Sequence, residues 1–487
     1  MKKNLTIYLL YDNNDYYKLP ANDLRKNSNV REISLVGGSE DIIGLKRIKS
    51  RNLFDSETMR SIANTTKSNY ALVQIKRGKI IPGQFFIERL LTAAQNTSAG
   101  LVYCDFHEQE GTKLIPHPLI DYQPGSIRDD FDFGSFVMIE KDTMLKAVKS
   151  VKDSAKYSGF YSLRLAISRQ NSIFRLPECL YTVEREDRME AGEKQFNYVD
   201  PKNRDVQIEM ERSATEHLKK LKAFLSPGSK KLNPGSLKSD YEASVIIPVK
   251  NREKTISESV ASVLGQKTSF KFNLLVVDNH STDETTKILD DLSKRDKRVI
   301  HIIPERRDLQ IGGCWNEAIF HNLCGKFAIQ LDSDDLYKDQ TTLQKIVDKF
   351  YEERCGMVIG SYQLTDFNLN EVPPGIIDHR EWSEDNGRNN ALRINGLGAP
   401  RAFFTPLIRD IKFPNVSYGE DYSVVLAISR HYKIGRIYEP IYICRRWEGN
   451  TDSSLSIEQE NRNNFYKDRI RTIEILARKQ FIRGKKK

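Results

Sequence analysis

The sequence predicts an α/β protein with two tandem domains of one fold, each built on a mixed, mostly parallel central sheet. Apolar runs of strand length alternate with helical segments, which is typical of α/β domains. A stretch rich in Pro, Gly and Ser divides the 487 residues into two halves. One segment occurs in similar form near the end of both halves, which indicates an internal repeat.

The composition indicates a folded protein and argues against a nucleic-acid partner. Hydrophobic residues make up 39% of the chain and charged residues 29%, the balance of an ordinary globular protein. The formal charge of +10 comes from 76 basic residues interleaved with 66 acidic ones, without the basic helix and interspersed aromatics of a nucleic-acid-binding surface. Six cysteines without metal-ligand spacing, no signal sequence and no long apolar run predict a cytoplasmic protein.

The predicted domain boundaries follow from one linker, Ser226–Glu242, which contains two Pro, two Gly and four Ser. A charged helix is predicted over 206–225, just before this linker. We therefore expect a first domain at 1–225, a linker at 226–242, a second domain at 243–455, and a C-terminal helix with a basic tail at 456–487. That tail, which includes Arg478, can contact an anionic membrane surface or end as a frayed, solvated terminus.

The internal repeat is an ungapped match near the end of each half. Residues 161–185 align with residues 422–446, and 12 of the 25 positions are identical. Two unrelated amphipathic helices would share apolar spacing, but the match continues through the following strand. The halves are therefore predicted to be two copies of one fold.

In the second half, periodicity predicts strands and helices in alternating order. The strands are expected at 243–249, 272–277, 327–331 and 357–362, and the helices at 254–264 and 283–292. Ligands of open α/β sheets bind beyond the carboxyl ends of the strands. The polar residues that follow these strands are therefore candidates for a site.

Carboxylates follow two of these strands. Asp278 ends the second strand and can accept hydrogen bonds from a nucleobase or ribose. Asp332 and Asp334 follow the third strand, and their DxD spacing suits a hard divalent cation that neutralises a sugar diphosphate. The DxD spacing at 130–132 does not follow a strand of buried type and is treated as a coincidence.

A further acidic motif, Gly419-Glu420-Asp421, is a turn followed by the predicted start of a helix. A carboxylate in this position can take a proton from an acceptor hydroxyl. The alternative is helix capping, worth roughly 0.3 to 1 kcal/mol through the helix dipole. Taken alone, the motif favours capping.

Together these segments resemble the family 2 glycosyltransferases of GT-A fold over residues 243–455. Four motifs in the family's order carry the resemblance: SVIIPVKNREKTISESVASVLGQ (244–266), VVDNHSTDET (276–285), QLDSDD (330–335) and GED (419–421). The resemblance implies two tandem Rossmann-like nucleotide-diphospho-sugar transferase domains. It also implies inverting transfer of a hexosyl or N-acetylhexosaminyl group, in polysaccharide biosynthesis, from a donor that is often UDP-linked.

The resemblance also implies the site residues. Asp421, with Glu420 beside it, is the implied catalytic base, and Asp332 and Asp334 are the implied ligands of Mn²⁺ or Mg²⁺. The implied contacts of the nucleotide sugar are Pro248, Asn251, Arg252, Asp278, Gly312, Asn316, Asp332, Ser333, Arg445, Arg446 and Trp447. Gly312 and Asn316 fit the family's loop before the DxD strand, whereas Trp315 departs from the pattern because a basic residue is common there.

The segment around Arg445 leaves alternatives open. The guanidinium groups of Arg445 and Arg446 suit a diphosphate, and a surface salt bridge is an equal alternative. Trp447 can stack on a sugar or pack against the domain.

The first half lacks the acidic motifs. The repeat places Gly159 and Phe160 opposite Glu420 and Asp421, and residues 70–78 opposite the DxD strand. Neutral and basic residues leave a metal without ligands and an acceptor without a base. We therefore expect a degenerate copy without transferase activity.

The predicted partners are a nucleotide-sugar donor and a glycan or lipid-linked glycan acceptor. Peripheral contact with the inner face of the membrane would use the basic tail. The alternative function is a catalytically inactive glycan- or nucleotide-binding protein, which leaves the acidic motifs of the second half without a role.

Overall fold

The computed structural model describes residues 4–11, 15–38, 45–50, 54–151, 155–184, 203–380, 382–450 and 455–484. The described residues up to 184, with 203–224 and 455–484, form one compact unit, and residues 225–450 form a second. Both units are α/β with mixed, mostly parallel sheets. The predicted fold class is confirmed.

The first unit begins with strands and helices that alternate along the chain. Its strands are β1 (Leu5–Leu10), β2 (Val30–Val36), β3 (Lys46–Ile48), β4 (Tyr70–Gln74), β5 (Ile80–Pro82), β6 (Leu101–Cys104), β7 (Phe106–Glu110), β8 (Lys113–His117), β9 (Phe136–Glu140), β10 (Ile173–Leu176) and β11 (Tyr181–Glu184). Its helices before the linker are α1 (Lys18–Leu24), α2 (Ser56–Thr65), α3 (Phe86–Thr97), α4 (Lys141–Val148), α5 (Gly159–Ile167) and α6 (Arg204–Lys220). One sheet has the order β10-β6-β9-β4-β1-β2-β3, and a smaller one has the order β5-β11-β7-β8.

The second unit is built on one nine-stranded sheet. Its strands are β12 (Ala243–Val249), β13 (Phe272–Asp278), β14 (Val299–Ile302), β15 (Phe327–Gln330), β16 (Leu336–Tyr337), β17 (Met357–Thr365), β18 (Glu371–Ile377), β19 (Arg401–Phe404) and β20 (Ile434–Arg445). Its helices are α7 (Ile256–Leu264), α8 (Thr285–Arg295), α9 (Ile311–Phe320), α10 (Thr342–Glu353), α11 (Gly387–Asn390), α12 (Thr405–Ile411) and α13 (Glu420–Ser429). The strand order is β14-β13-β12-β15-β19-β17-β20-β16, and β18 pairs with β17.

The two main sheets share one strand order and one set of directions. The order β3-β2-β1-β4-β9-β6-β10 of the first unit matches β14-β13-β12-β15-β19-β17-β20 of the second. In both, β9 and β19 are the strands that run antiparallel to their two neighbours. The register also agrees, because Ala71 pairs with Ile139 as Ala328 pairs with Phe403. The internal repeat is therefore a repeat of the fold.

The C-terminal helix α14 (Ile457–Gly484) belongs to the first unit. Asp468 is fully buried there and accepts a hydrogen bond of 2.8 Å from Ser126 Oγ. The Thr472 hydroxyl accepts a hydrogen bond of 2.9 Å from the amide of Gly125. Arg478 is also fully buried and pairs with Glu474 at 2.7 Å, so its assignment to a frayed basic tail was wrong. The last three basic residues, 485–487, lie outside the described residues.

The predicted linker contacts the second unit. The amide of Leu232 donates a hydrogen bond of 2.7 Å to the carbonyl of Arg354, and Lys230 pairs with Tyr432 in an isolated bridge. Among the described residues, no helix has the length and apolar character needed to cross a bilayer.

Candidate active site at the carboxyl edge of the second sheet

The candidate site lies where the parallel strands β12, β13 and β15 end. The loops after these strands contact one another. The Asn251 side-chain oxygen accepts a hydrogen bond of 2.7 Å from the Thr282 amide, and Arg252 Nε lies 3.9 Å from Asp334 Oδ2. Pro248 is the last but one residue of β12, paired in the sheet with Val277. The fold therefore brings the polar residues after these strands to one edge.

Asp334 receives donors from the end of the second unit. Its Oδ2 atom accepts a hydrogen bond of 3.3 Å from Trp447 Nε1 and another of 3.3 Å from Asn450 Nδ2. The Trp447 ring also contacts Phe367, with ring centroids 5.4 Å apart. In this structure Trp447 thus packs beside the DxD loop and holds one of its carboxylates.

Asp332 lies close to other carboxyl groups. Burial raises the pKa of Asp332, and the carboxylates of Asp334 and Asp421 raise it further, against the lowering effect of Arg401. Burial and the carboxylates of Asp334 and Asp332 raise the pKa of Asp335 well above its ordinary value. Three carboxyl side chains, those of Asp332, Asp334 and Asp335, thus share one short loop.

A divalent cation fits the oxygen donors of this loop. Mg²⁺ and similar ions are held by one or two carboxylates together with substrate phosphates, and Asp332 and Asp334 supply that number. An ion would also relieve the repulsion between the carboxylates. Within the described ranges, no three His, Cys, Asp or Glu side chains are grouped as metal ligands, so donor phosphates would have to complete the coordination.

Glu420 and Asp421 begin helix α13 directly after Gly419, whose φ of 83° is the left-handed conformation that glycine tolerates. Asp421 Oδ2 lies 2.9 Å from Arg401 Nη1 and its side chain is 23% exposed. Glu420 is buried, and burial together with the Asp421 charge raises its pKa to about 8. The two carboxyl groups thus lie in contrasting environments at the same edge as Asp332.

Sequence reasoning missed Arg401 and the role of Gln330. Gln330 Nε2 donates a hydrogen bond of 2.9 Å to Asp332 Oδ1, and Gln330 Oε1 accepts one of 3.1 Å from the Arg401 amide. Gln330 stands inside the QLDSDD motif, but no local pattern marks Arg401 as more than the first residue of a strand. Arg401 lies beside Gln330 because β19 pairs antiparallel with β15.

Asp278 is fully buried and its carboxylate is already bound within the protein. Oδ1 accepts a hydrogen bond of 2.9 Å from the Ser281 amide, and Oδ2 accepts one of 2.5 Å from Thr286 Oγ1. Burial alone would raise the pKa of Asp278, but the donors His301, Ser281 and Thr286 together lower it well below its ordinary value. Asp278 therefore stabilises the loop that follows β13.

The segment around Gly312 is helical, so its interpretation as a loop was wrong. Gly312 lies in α9, where an added Cβ atom would meet the Pro414 carbonyl oxygen at 1.9 Å. Asn316 Nδ2 donates to the Phe413 carbonyl at 2.8 Å and its Oδ1 accepts from the Phe413 amide at 3.0 Å. Trp315 is buried and stacks on Phe413 with ring centroids 5.1 Å apart. These residues hold helix α9 against the loop before Glu420.

Arg445 is buried and forms an ion pair with the exposed Glu258, so the structure contains a salt bridge at this residue. Its amide donates a hydrogen bond of 2.8 Å to Asp335 Oδ1, and its guanidinium pairs with Glu258 and donates to the Asp334 carbonyl. Arg446 is half-buried, with its amide 2.7 Å from the Thr365 carbonyl. Arg445 therefore anchors the acidic loop from behind.

Ser333 anchors the same loop from a second side. Its carbonyl accepts hydrogen bonds of 2.9 Å from Thr255 Oγ1 and 3.0 Å from Ser259 Oγ, both near the start of α7. The loop between Asp332 and Asp334 is therefore fixed to α7 as well as to β20.

The segment that contains most of this edge is similar in sequence to known proteins. Residues 244–410 match the family described as glycosyl transferase family 2. An uncharacterized glycosyltransferase of Rickettsia felis is 32% identical over 203 residues, 41% of this chain and 32% of that protein. The WfgD protein of Escherichia coli, named UDP-Glc:alpha-D-GlcNAc-diphosphoundecaprenol beta-1,3-glucosyltransferase, is 28% identical over 219 residues, 45% of this chain and 80% of that protein.

A crystal structure of S. aureus TarS 1–349 in complex with UDP-GlcNAc is 24% identical and covers 50% of this chain and 70% of that chain, with a TM-score of 0.40. The match spans about a third of the Rickettsia relative's length, 32%, so it describes a domain rather than a whole protein. Within this chain, residues 244–410 are therefore similar to the domain of glycosyl transferase family 2.

Proposed function

We propose that the second unit is a glycosyltransferase that moves a sugar from a nucleotide diphosphate donor, UDP-linked, to a hydroxyl group of a glycan acceptor. The observation that carries the proposal is the acidic edge formed by Asp332, Asp334 and Asp421 on the sheet of a family 2 domain. A carboxylate pair can hold a cation and a further carboxylate can accept a proton, and both functions assist sugar transfer from a diphosphate.

Asp332 and Asp334 are proposed to bind the cation, Mn²⁺ or Mg²⁺, that accompanies the donor. Such an ion neutralises the diphosphate as it leaves the sugar. Asn251 and Arg252 lie in the loop after β12, and Arg252 Nε is 3.9 Å from Asp334 Oδ2. We propose that the donor phosphates bind beside Arg252, because its guanidinium and the cation would both neutralise phosphate charge.

Asp421 is proposed as the base. Its carboxylate is partly exposed and ion-paired with Arg401, whereas burial and the charge of Asp421 raise the pKa of Glu420 to about 8. The acceptor oxygen attacks the anomeric carbon, the bond from that carbon to the diphosphate oxygen breaks, and the acceptor proton passes to Asp421. One displacement on the face opposite the leaving group inverts the configuration.

The first unit is proposed to be a copy that lost catalysis. In the shared register, Ile75 and Arg77 stand where the second unit has Asp332 and Asp334, and the repeat aligns Phe160 with Asp421. An aromatic cluster fills this region: Phe160 and Phe133 have ring centroids 6.0 Å apart, and Phe133 and Tyr103 have centroids 5.0 Å apart. The positions of the two cation carboxylates and of the base are thus occupied by Ile75, Arg77 and Phe160, none of which carries a carboxylate.

The acceptor is proposed to be a lipid-linked glycan at the cytoplasmic face of a membrane, by analogy with the diphosphoundecaprenol substrate in the name of the E. coli relative. The experiment that tests the function incubates the full chain with UDP- and GDP-sugars and Mn²⁺, and measures nucleotide release with and without diphospholipid-linked GlcNAc. Acceptor-dependent release supports the proposal. Donor binding without release from any pair would favour an inactive binding protein.

A further inference from the structure

A chain of hydrogen bonds joins the two acidic motifs of the site. It starts at Asp332 Oδ1, which accepts from Gln330 Nε2 at 2.9 Å. The other end of the same amide, Gln330 Oε1, accepts from the Arg401 backbone amide at 3.1 Å. The guanidinium of Arg401 then lies 2.9 Å from Asp421 Oδ2. Two residues thus connect a proposed cation ligand to the proposed base.

Arg401 is held at three points. Besides its amide bond to Gln330 and its ion pair with Asp421, Arg401 Nη1 donates a hydrogen bond of 3.1 Å to the Gly398 carbonyl. Burial lowers the pKa of the Arg401 guanidinium, but the charges of Asp421, Asp332 and Glu420 raise it overall. A guanidinium held at Nη1 by both Asp421 and Gly398 restricts the position of the carboxylate that it binds.

The first unit shows that the fold itself does not need this pair. The register of β15 and β19 pairs Ile329 with Ala402, so Gln330 and Arg401 occupy the next cross-strand position. At the matching position of the first unit, Val73 pairs with Val137, and both are buried. The same sheet thus forms with two valines in the unit that also lacks the acidic motifs.

We propose that Arg401 and Gln330 are positioning residues for sugar transfer: Arg401 holds the Asp421 carboxylate towards the acceptor hydroxyl, and Gln330 fixes that arrangement to the Asp332 loop. The inference rests on the proposed function. Because neither residue takes the proton, their loss should reduce turnover through misplacement of Asp421. A misplacement of about 1 Å costs on the order of a hundredfold in rate.

The test compares Arg401→Val, Gln330→Val and the double variant, which copies the Val73 and Val137 pair, with wild type. Arg409→Gln is the matched control, because Arg409 is a part-buried arginine of the same unit that donates to the Ile319 carbonyl at 2.6 Å, away from the acidic edge. Thermal unfolding, the dissociation constant of UDP with Mn²⁺, and kcat with saturating acceptor are measured for each protein.

For Arg401→Val we expect kcat to fall roughly tenfold to a hundredfold, with the UDP dissociation constant within about threefold of wild type. The double variant should unfold at the wild-type temperature or above it and still lack transfer. Arg401→Lys should restore part of kcat, because it returns the charge without the fork.

Three results are decisive against this proposal. Wild-type kcat in Arg401→Val overturns the positioning role alone and leaves the proposed function intact. If the double variant loses both kcat and thermal stability, the pair has a structural role instead. A wild-type protein that transfers no sugar refutes the proposed function and this inference together.

Discussion

Glu420 and Asp421 are adjacent in the chain but present their carboxyl groups to opposite surroundings. Asp421 pairs with Arg401 at 2.9 Å and is partly exposed, whereas Glu420 is buried and one of its oxygens has no hydrogen-bond partner among the described residues. Burial without a partner favours the neutral form of a carboxyl group. The proposed base, Asp421, and its neighbour Glu420 therefore differ in environment.

Replacing Asp421 by Asn should abolish transfer and leave donor binding nearly intact. The amide keeps the size of the side chain but cannot take the acceptor proton. Loss of general-base catalysis lowers the rate by about 10²- to 10⁴-fold. Steady-state transfer and UDP titration by calorimetry measure the two effects. Asp410→Asn, an exposed aspartate on α12, is the control. Full turnover in Asp421→Asn would show that the base lies elsewhere.

Glu420 should make the protein less stable as the pH rises. Its folded pKa of about 8 is above the ordinary value of 4.5, so the folded state binds the proton more tightly. The stabilisation is fully present below pH 4.5 and is lost as the pH rises through about 8.

Thermal unfolding of wild type and Glu420→Gln from about pH 4 to about pH 9 measures this effect. The difference in unfolding temperature, wild type minus variant, should fall as the pH increases. Glu352→Gln, at an exposed glutamate on α10, should leave the pH profile unchanged. Parallel profiles for wild type and Glu420→Gln would contradict the assigned pKa.

Replacing Asp334 by Ala should weaken cation and donor binding together. The substitution removes a carboxylate that Trp447 and Asn450 hold at 3.3 Å. We expect UDP with Mn²⁺ to raise the unfolding temperature of wild type and to have little effect on the variant. Asp291→Ala, an exposed aspartate on α8, is the control. An unchanged thermal shift in Asp334→Ala would place the cation elsewhere.

Replacing Asp468 by Ala should destabilise the first unit. Asp468 is fully buried and faces Arg471 at 2.8 Å and Arg128 at 3.4 Å. Removing one partner of a buried charge cluster leaves uncompensated cations and costs about 3 to 5 kcal/mol. Hydrogen exchange should increase over residues 118–131 and 461–478, with residues 243–364 as internal reference. Glu460→Ala, exposed on the same helix, should change neither region.

Local pattern predicted the strands of the second unit closely. The run 243–249 is β12 over the same residues, 272–277 falls within β13, and 327–331 covers β15 with one residue more. Buried strands of parallel sheets are continuous apolar runs, and such runs are visible without any knowledge of their neighbours. The family resemblance placed Gly312 in a loop, whereas it lies in a helix at a position where an added Cβ atom would meet the Pro414 carbonyl oxygen.

The sequence by itself determined the two-copy α/β fold, the acidic motifs at the ends of strands, and the absence of those acids from the first half. All three are encoded over short distances, in periodicity, motif order and an ungapped repeat. Only the tertiary structure decided that Arg401 meets Asp421, that Asp278 is bound inside its own loop, and that α14 completes the first unit. These facts depend on which distant segments pack together. Gln330 and Arg401 are 71 positions apart, and their contact exists because β19 pairs antiparallel with β15.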